Sequence, residues 1–423
     1  MAIVIAVYAD WAGIEQPIRF GHLHARRGAG REAFEFEYDA GALADRVLST
    51  TQLDPRIALF PGRQHPERGR DTFGMFADAS PDRWGRMLMQ RRLERDKRAG
   101  AAARTARLHE SDYLLGVHDA FRTGGLRFRL DDAGDFLDNR HDAAAPAFVQ
   151  LRELETASLA LERDEKNTAK KGDEWLRLLI APGGSLGGAR PKASVVDPDG
   201  RLWIAKFPSV RDEHDVAAWE QVLHALAHAC GLNVPESSAR RFAHDHHTFL
   251  VQRFDRTSEG RRIHFASAMT LTGRKDGDDA AAGVSYLELA RVLIDHGANP
   301  REDLRELWSR IVFFMLVSNT DDHLRNHGFL LEPGRGWGLS PAFDMNPVPV
   351  SDGLQLNVSE TDNALDLDLA REVAPYFRVA AKAAREIIES YRAIVSQWRT
   401  IARKLRVPAR EQERMAESFR LAG

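Results

Sequence analysis

The chain has 423 residues, 43% of them apolar and 29% charged, which is enough for two or three domains with separate cores. A formal charge of −3 excludes a global basic field for nucleic acid, and a single cysteine, Cys230, excludes a disulfide framework or thiol-rich metal site. No stretch approaches the roughly 18 uncharged apolar residues of a membrane helix, and Met1–Tyr8 lacks the basic start of a signal peptide, so a cytoplasmic location without a membrane partner is expected.

Residues 1–140 read as a small α+β unit. Strands are predicted at Ala2–Tyr8, Phe20–Ala25 and Ala33–Tyr38, with Gly28-Ala29-Gly30 turning between the last two. In the third strand Phe34, Phe36 and Tyr38 alternate with Glu35 and Glu37, as one buried and one wet face require. Ser80 as N-cap and Pro81 at the first helical position predict a helix carrying Trp84, Met87 and Leu88. Asp131–Ala145, rich in Asp and Ala, reads as a linker.

Residues 147–255 form the second predicted region. A helix over Ala147–Glu165 places Phe148, Leu151, Leu154 and Leu161 on one face; the charged Glu165–Asp173 segment breaks it and Glu174–Ile180 resumes it. Then Gly183-Gly184-Ser185-Leu186-Gly187-Gly188 precedes a strand, Lys192–Val196, an Asp197-Pro198-Asp199-Gly200 turn and a second strand, Leu202–Phe207. Glycines at such a place let backbone amides approach phosphate oxygens, although a mobile linker has the same composition. Arginine far outnumbers lysine in this chain, so Lys206, in line with Leu202 and Ile204, stands out. A kinase sets its phosphate-binding lysine on such a strand and pairs it with a Glu from the next helix. That helix runs from Asp215 to Ala229 with Gly231 stopping it, and Glu220 lies at the edge of its apolar stripe. Singly, Lys206 reads as an edge-strand charge and Glu220 as a solvated residue; their order gives them meaning. A second hairpin, Ser238–Ala243 and Thr248–Phe254, flanks His244-Asp245-His246-His247, a polar turn whose composition also suits a metal. Its exit, through Gln252 and Phe254, leads to a connector whose counterpart in a kinase pairs with adenine.

Residues 256–423 read as a mostly helical third region. A buried helix over Trp308–Val317 ends in Ser318-Asn319-Thr320-Asp321-Asp322-His323-Leu324-Arg325-Asn326. Asp321 and Asn326 stand five apart, the D-x-x-x-x-N spacing of a protein-kinase catalytic loop, where a carboxylate accepts the proton of an attacking hydroxyl and an amide oxygen holds a metal. A hairpin, Gly328–Leu331 and Gly336–Leu339, returns the chain to Asp344, a second carboxylate suited to Mg²⁺. The bland readings are an Asx turn for Asp321 and a cap for Asp344.

Taken together these blocks resemble the HipA family of bacterial toxin kinases. The similar segments are Gly184–Ala193, Ile204–Pro208, Gly231–Pro235, Val251–Arg256, Asn319–Gly328 and Ser340–Asp344, with Phe76–Arg86 matching the family's first domain. The resemblance implies an α+β, protein-kinase-like bilobal fold with an N-terminal α/β subdomain and a mostly helical C-terminal lobe. It implies serine/threonine kinase activity with ATP and Mg²⁺: Lys206 on the ATP phosphates, Glu220 paired with it, Asp321 as base, and Asn326 and Asp344 as Mg²⁺ ligands. Gly184, Ser185, Gly187 and Gly188 would form the nucleotide loop, with Gln252, where some members carry Glu, and Phe254 at the adenine. Ser185 matches a family serine whose autophosphorylation silences the enzyme. The implied substrate is a translation component such as an aminoacyl-tRNA synthetase; the implied partner is a HipB-like helix-turn-helix antitoxin, through which DNA is contacted indirectly. A kinase-fold phosphotransferase acting on a small molecule and a catalytically silent co-repressor module are the alternatives.

Overall fold

Alternation in the first three strands places Phe34, Phe36 and Tyr38 on a buried face and sends their neighbours to the other side. In the computed structural model, which describes residues 2–28, 31–139, 146–164, 179, 188 and 190–423, β1 (Ala2–Ala9), β2 (Ile18–Arg27) and β3 (Glu32–Tyr38) form an antiparallel meander. β4 (Leu126–Arg129) adds to the free edge of β1, giving the order β3-β2-β1-β4. The wet face is laced with ion pairs: His24 Nε2 lies 2.9 Å from Glu37, and Arg63 donates to the buried Glu35 at 3.0 Å. On the dry face Phe36 meets Phe76 edge-on at 5.5 Å and Phe76 meets Phe128 at 6.0 Å. Each such ring contributes about 1.5–3 kcal/mol by leaving water.

The helix expected after Ser80 is present over Arg83–Arg98, but its cap is Asp82, which accepts from the Gly85 N–H at 2.9 Å. Ser80 instead donates to the Phe76 carbonyl at 2.8 Å, closing the preceding turn. The Ala147–Glu165 helix begins as a 3₁₀ turn and is α-helical over Leu151–Arg163. Glu165, most of the Glu174–Ile180 helix, the Ala29-Gly30 half of the first turn, and Gly184, Ser185 and Gly187 lie outside the described residues.

β5 (Lys192–Val196) and β6 (Leu202–Lys206) pair antiparallel, with Lys192 directly opposite Lys206. The turn between them is held by Asp197, whose carboxylate accepts from the Asp199 and Arg201 amides and the Trp203 indole, while Gly200 takes φ +81°.

The chain divides into two compact units, residues 1–211, 242–244 and 252–266 in one, and 212–241, 245–251 and 267–423 in the other. The second contains the Val216–Ala229 helix, capped by Asp215 and ended by Gly231 at φ +81°. β7 (Ser237–Arg240) pairs with β8 (Thr248–Gln252), Ser237 opposite Val251. After the short β9 (Phe265–Ser267) come helices at Tyr286–His296 and Pro300–Val317. The latter is buried without interruption from Leu307 to Val317 and forms the unit's core, packed against the Ala381–Val395 helix. β10 (Gly328–Glu332) and β11 (Gly336–Leu339) make the expected hairpin. Among the described residues no helix is long and apolar enough to cross a membrane.

Candidate active site

The Pro300–Val317 helix stops because Ser318 takes a left-handed backbone, φ 48°, which turns the chain out of the core. From there Ser318 and Asn319 lie along the segment that follows β11. The Asn346 amide donates to Asn319 Oδ1 at 2.8 Å and the Val348 amide to the Ser318 carbonyl at 3.0 Å. These bonds bring Asp344 beside Asp321, near enough for the two carboxylates to repel. Asp344 is itself at φ 58°, a second left-handed non-glycine residue within the same loop pair.

Asp321 stands at the solvent edge of its loop. Partial desolvation raises its carboxyl pKa, His323 opposes that, and Asp344 and Asp322 add to it. Asn326, buried in the 3₁₀ turn Leu324–Asn326, donates through Nδ2 to the Asp321 carbonyl at 3.1 Å. Its Oδ1 is buried and has no hydrogen-bond partner among the described residues. A buried, unpaired amide oxygen and the nearby Asp321 and Asp344 carboxylates are hard oxygen donors, the kind that Mg²⁺ takes. The residues therefore fit that ion.

Asp322 and His327 were missed in the sequence, although they repeat the spacing of Asp321 and Asn326 one position later. Asp322 Oδ2 receives the Tyr286 hydroxyl at 2.5 Å and His327 Nε2 at 2.7 Å, all three side chains being buried. Burial raises the Tyr286 pKa well above its ordinary value, with Asp322 adding, so the phenol keeps its proton and donates. The His327 carbonyl accepts from the Ala268 amide at 2.8 Å. A buried brace thus lies directly behind the exposed acid.

In the first unit Lys206 is buried at the end of β6. Opposite it, the Lys192 ammonium lies 3.0 Å from Asp82, so the carboxylate that caps the Arg83–Arg98 helix also offsets one of two facing cations. Gly188, at φ +90°, sits against that ammonium; a Cβ there would lie 2.9 Å from Lys192 Nζ. The Asp82–Lys192 pair was not legible in the sequence, because nothing in the spacing shows that residues 110 positions apart meet. Gln252 and Phe254 are half-buried on the segment leaving β8, and Arg253 between them turns inward, its guanidinium on Asp255 at 2.6 Å and on the Phe121 carbonyl at 2.6 Å. Glu220, in the second unit, is buried on the Val216–Ala229 helix. Among the described residues no cluster of three His, Cys, Asp or Glu side chains could hold a metal; His247, in the polar turn, lies 2.6 Å from Asp215 through Nδ1.

The sequence profile of the HipA-like C-terminal domain matches residues 184–398, just over half of the chain and the stretch that carries every candidate site residue. The chain belongs to the HipA-like family. The HipA of Shewanella oneidensis MR-1, solved with HipB and operator DNA, superposes with a TM-score of 0.65 over 99% of this chain and 95% of that one at 17% identity, which establishes a shared fold. A Haemophilus influenzae protein with a provisional kinase designation is 28% identical over 187 residues, 40% of this chain and 54% of the relative. The Sinorhizobium fredii protein Y4dM, designated likewise, is 29% identical over 216 residues, 46% of this chain and 52% of the relative. The HipA-like chain thus spans about half the length of the curated relatives it matches.

Proposed function

We propose that this HipA-like protein is an ATP- and Mg²⁺-dependent serine/threonine protein kinase of the bacterial cytoplasm. The observation that carries this reading is the unpaired buried Oδ1 of Asn326, whose Nδ2 holds the Asp321 carbonyl, together with the closeness of Asp344 to Asp321. Asp321 accepts the proton of the acceptor hydroxyl as that oxygen bonds to the terminal phosphorus of ATP, the bond from that phosphorus to the β,γ-bridging oxygen breaks and ADP leaves. Asn326 and Asp344 would hold Mg²⁺, which would supply positive charge against the phosphate oxygens. Lys206 and Glu220 keep the roles that the family resemblance implies, Gln252 and Phe254 flank the adenine, and Gly184, Ser185, Gly187 and Gly188 cover the phosphates. Ser185 is proposed as a regulatory phosphosite, since a phosphate carrying about −1.5 to −2 charges would repel those of ATP. The partner proposed is a HipB-like antitoxin, in keeping with the HipB and operator DNA that accompany the Shewanella protein. The proposed acceptor is a translation component such as an aminoacyl-tRNA synthetase.

Incubating the purified protein and a bacterial lysate with ATP labelled at the terminal phosphate tests the reading. Label should enter protein, and Asp321→Asn and Asp344→Ala, each folded by thermal melting, should lower its transfer by about 10²–10⁴-fold. Label appearing only in small molecules would indicate a metabolite kinase; near-wild-type transfer by either variant would remove the assignment.

A further inference from the structure

The helix that carries Glu220 is fastened at its N-terminus by the C-terminal end of the chain. Glu411, on the Ala409–Met415 helix, accepts through one oxygen from the Asp215 backbone N–H at 3.0 Å and from the Trp219 indole N–H at 2.7 Å. Asp215 caps the helix at the Ala218 amide, 3.2 Å, and also holds the His247 amide at 3.0 Å and ring at 2.6 Å. The Trp219 ring, wholly buried, lies 5.8 Å from Trp398 and 6.2 Å from Phe419, which stack on each other at 4.4 Å. A carboxylate at a helix N-terminus meets the positive end of the macrodipole, and its hydrogen bonds are of the charge-assisted kind. Trp219 and Glu220 are adjacent, so an anchor on the first fixes the backbone that aims the second.

We propose that Glu411, with Trp398 and Phe419 beneath Trp219, acts as a positioning residue for Glu220, making residues 398–419 a clamp on the helix that serves phosphoryl transfer. This rests on the kinase reading for its catalytic consequence. Its structural half stands apart from that reading: the clamp, not the intrinsic helix, sets where Glu220 sits.

Glu411→Ala removes both hydrogen bonds, whereas Glu411→Gln keeps an oxygen that can accept them. Amide hydrogen exchange reads the clamp directly: protection at residues 216–220 should fall about tenfold or more in Glu411→Ala, return largely in Glu411→Gln, and stay unchanged in the β1–β4 sheet. ADP release from Mg-ATP reads the consequence. Glu411→Ala should lower kcat about tenfold, and lower it no further when Glu220→Gln is already present, because both changes then act through one carboxylate. Unchanged protection in Glu411→Ala would overturn the clamp. Equal losses with and without Glu220→Gln would overturn the positioning role. Protection lost as expected in a protein that releases no ADP would uphold the clamp and count against the kinase reading instead.

Discussion

At the scale of single residues, the loop after the Pro300–Val317 helix carries two interleaved pairs. The spacing of five was enough to pick out Asp321 and Asn326. It was silent on Asp322 and His327, because a sequence does not say which of two adjacent carboxylates a loop leaves in water and which it buries. Burial is what separates them: Asp321 is exposed, and Asp322 is 1% exposed with Tyr286 and His327 sharing one of its oxygens. A buried carboxylate that loses a donor keeps its desolvation penalty. Tyr286→Phe should therefore destabilise the protein by about 1.5–3 kcal/mol, the range for hydrogen bonds to charged groups. Because Asp322 is bonded to Asp321 through the backbone, the same variant should lower kcat more than it raises the KM for ATP. Thermal unfolding and steady-state kinetics check the two halves separately, and unchanged values in both would mean that the brace carries neither stability nor position.

At the scale of elements, hairpins were the most legible features, since Asp197–Gly200 and Pro333–Arg335 are turn chemistry flanked by apolar alternation. β4 was not legible: four residues reading Leu-Arg-Phe-Arg are too few to show a period, and only the free edge of β1 gives them a partner. The Arg83–Arg98 cap differs from the expected one because Ser80 and Asp82 are both good capping residues two positions apart; Ser80 is engaged by the Phe76 carbonyl, and Asp82 both caps the helix and pairs with Lys192. The segment leaving β8 shows what else such residues do. Asp255 is buried with Arg253 and Arg256 on one carboxylate oxygen and the Gly124 amide at 3.0 Å. Burial raises its pKa, but Arg253 and Arg256 outweigh that and hold it far below the usual carboxylate range, while burial pushes the Arg256 guanidinium down to about 9. Asp255→Asn leaves two buried guanidinium groups without their counter-charge, a loss of about 3–5 kcal/mol. The sign of the pH dependence follows from the folded pKa lying below the unfolded one. The contribution of Asp255 is complete above the unfolded value, about pH 4, and is lost as pH falls through the folded value. Melting curves of both proteins between pH 7 and pH 3 should thus converge toward acid; a constant gap, or none at pH 7, would show that the arginines find other partners.

At the scale of the whole molecule, the order of elements over residues 192–339 was legible: a strand hairpin, the Val216–Ala229 helix, a second hairpin, the buried helix ending at Val317 and a third hairpin. Each element is local, so each leaves its mark in a short stretch of sequence. What the sequence held back was long-range: the Asp82–Lys192 pair, the Glu411 clamp and the network around Asp255 join positions from 110 to 196 residues apart. The same contrast separates the two main readings of this HipA-like protein inside a cell. A silent co-repressor module acts by occupying its partner, so its effect scales with the number of copies and does not need Asp321. A kinase turns over, typically 1–100 times per second, so few copies modify many acceptor molecules within one generation. Expression of the wild-type chain alone in a bacterial host should therefore arrest growth even from a weakly induced promoter. Asp321→Asn, with the fold kept and one proton acceptor removed, should restore growth at matched protein levels, and co-expression of a HipB-like partner should restore it with the wild-type chain. Growth curves and colony counts against immunoblotted protein amount make the comparison. Arrest by both proteins in proportion to their amount would favour the binding module. Unimpaired growth with both, when the purified wild-type chain does transfer phosphate, would place the enzyme outside the toxin class and direct attention to a small-molecule acceptor.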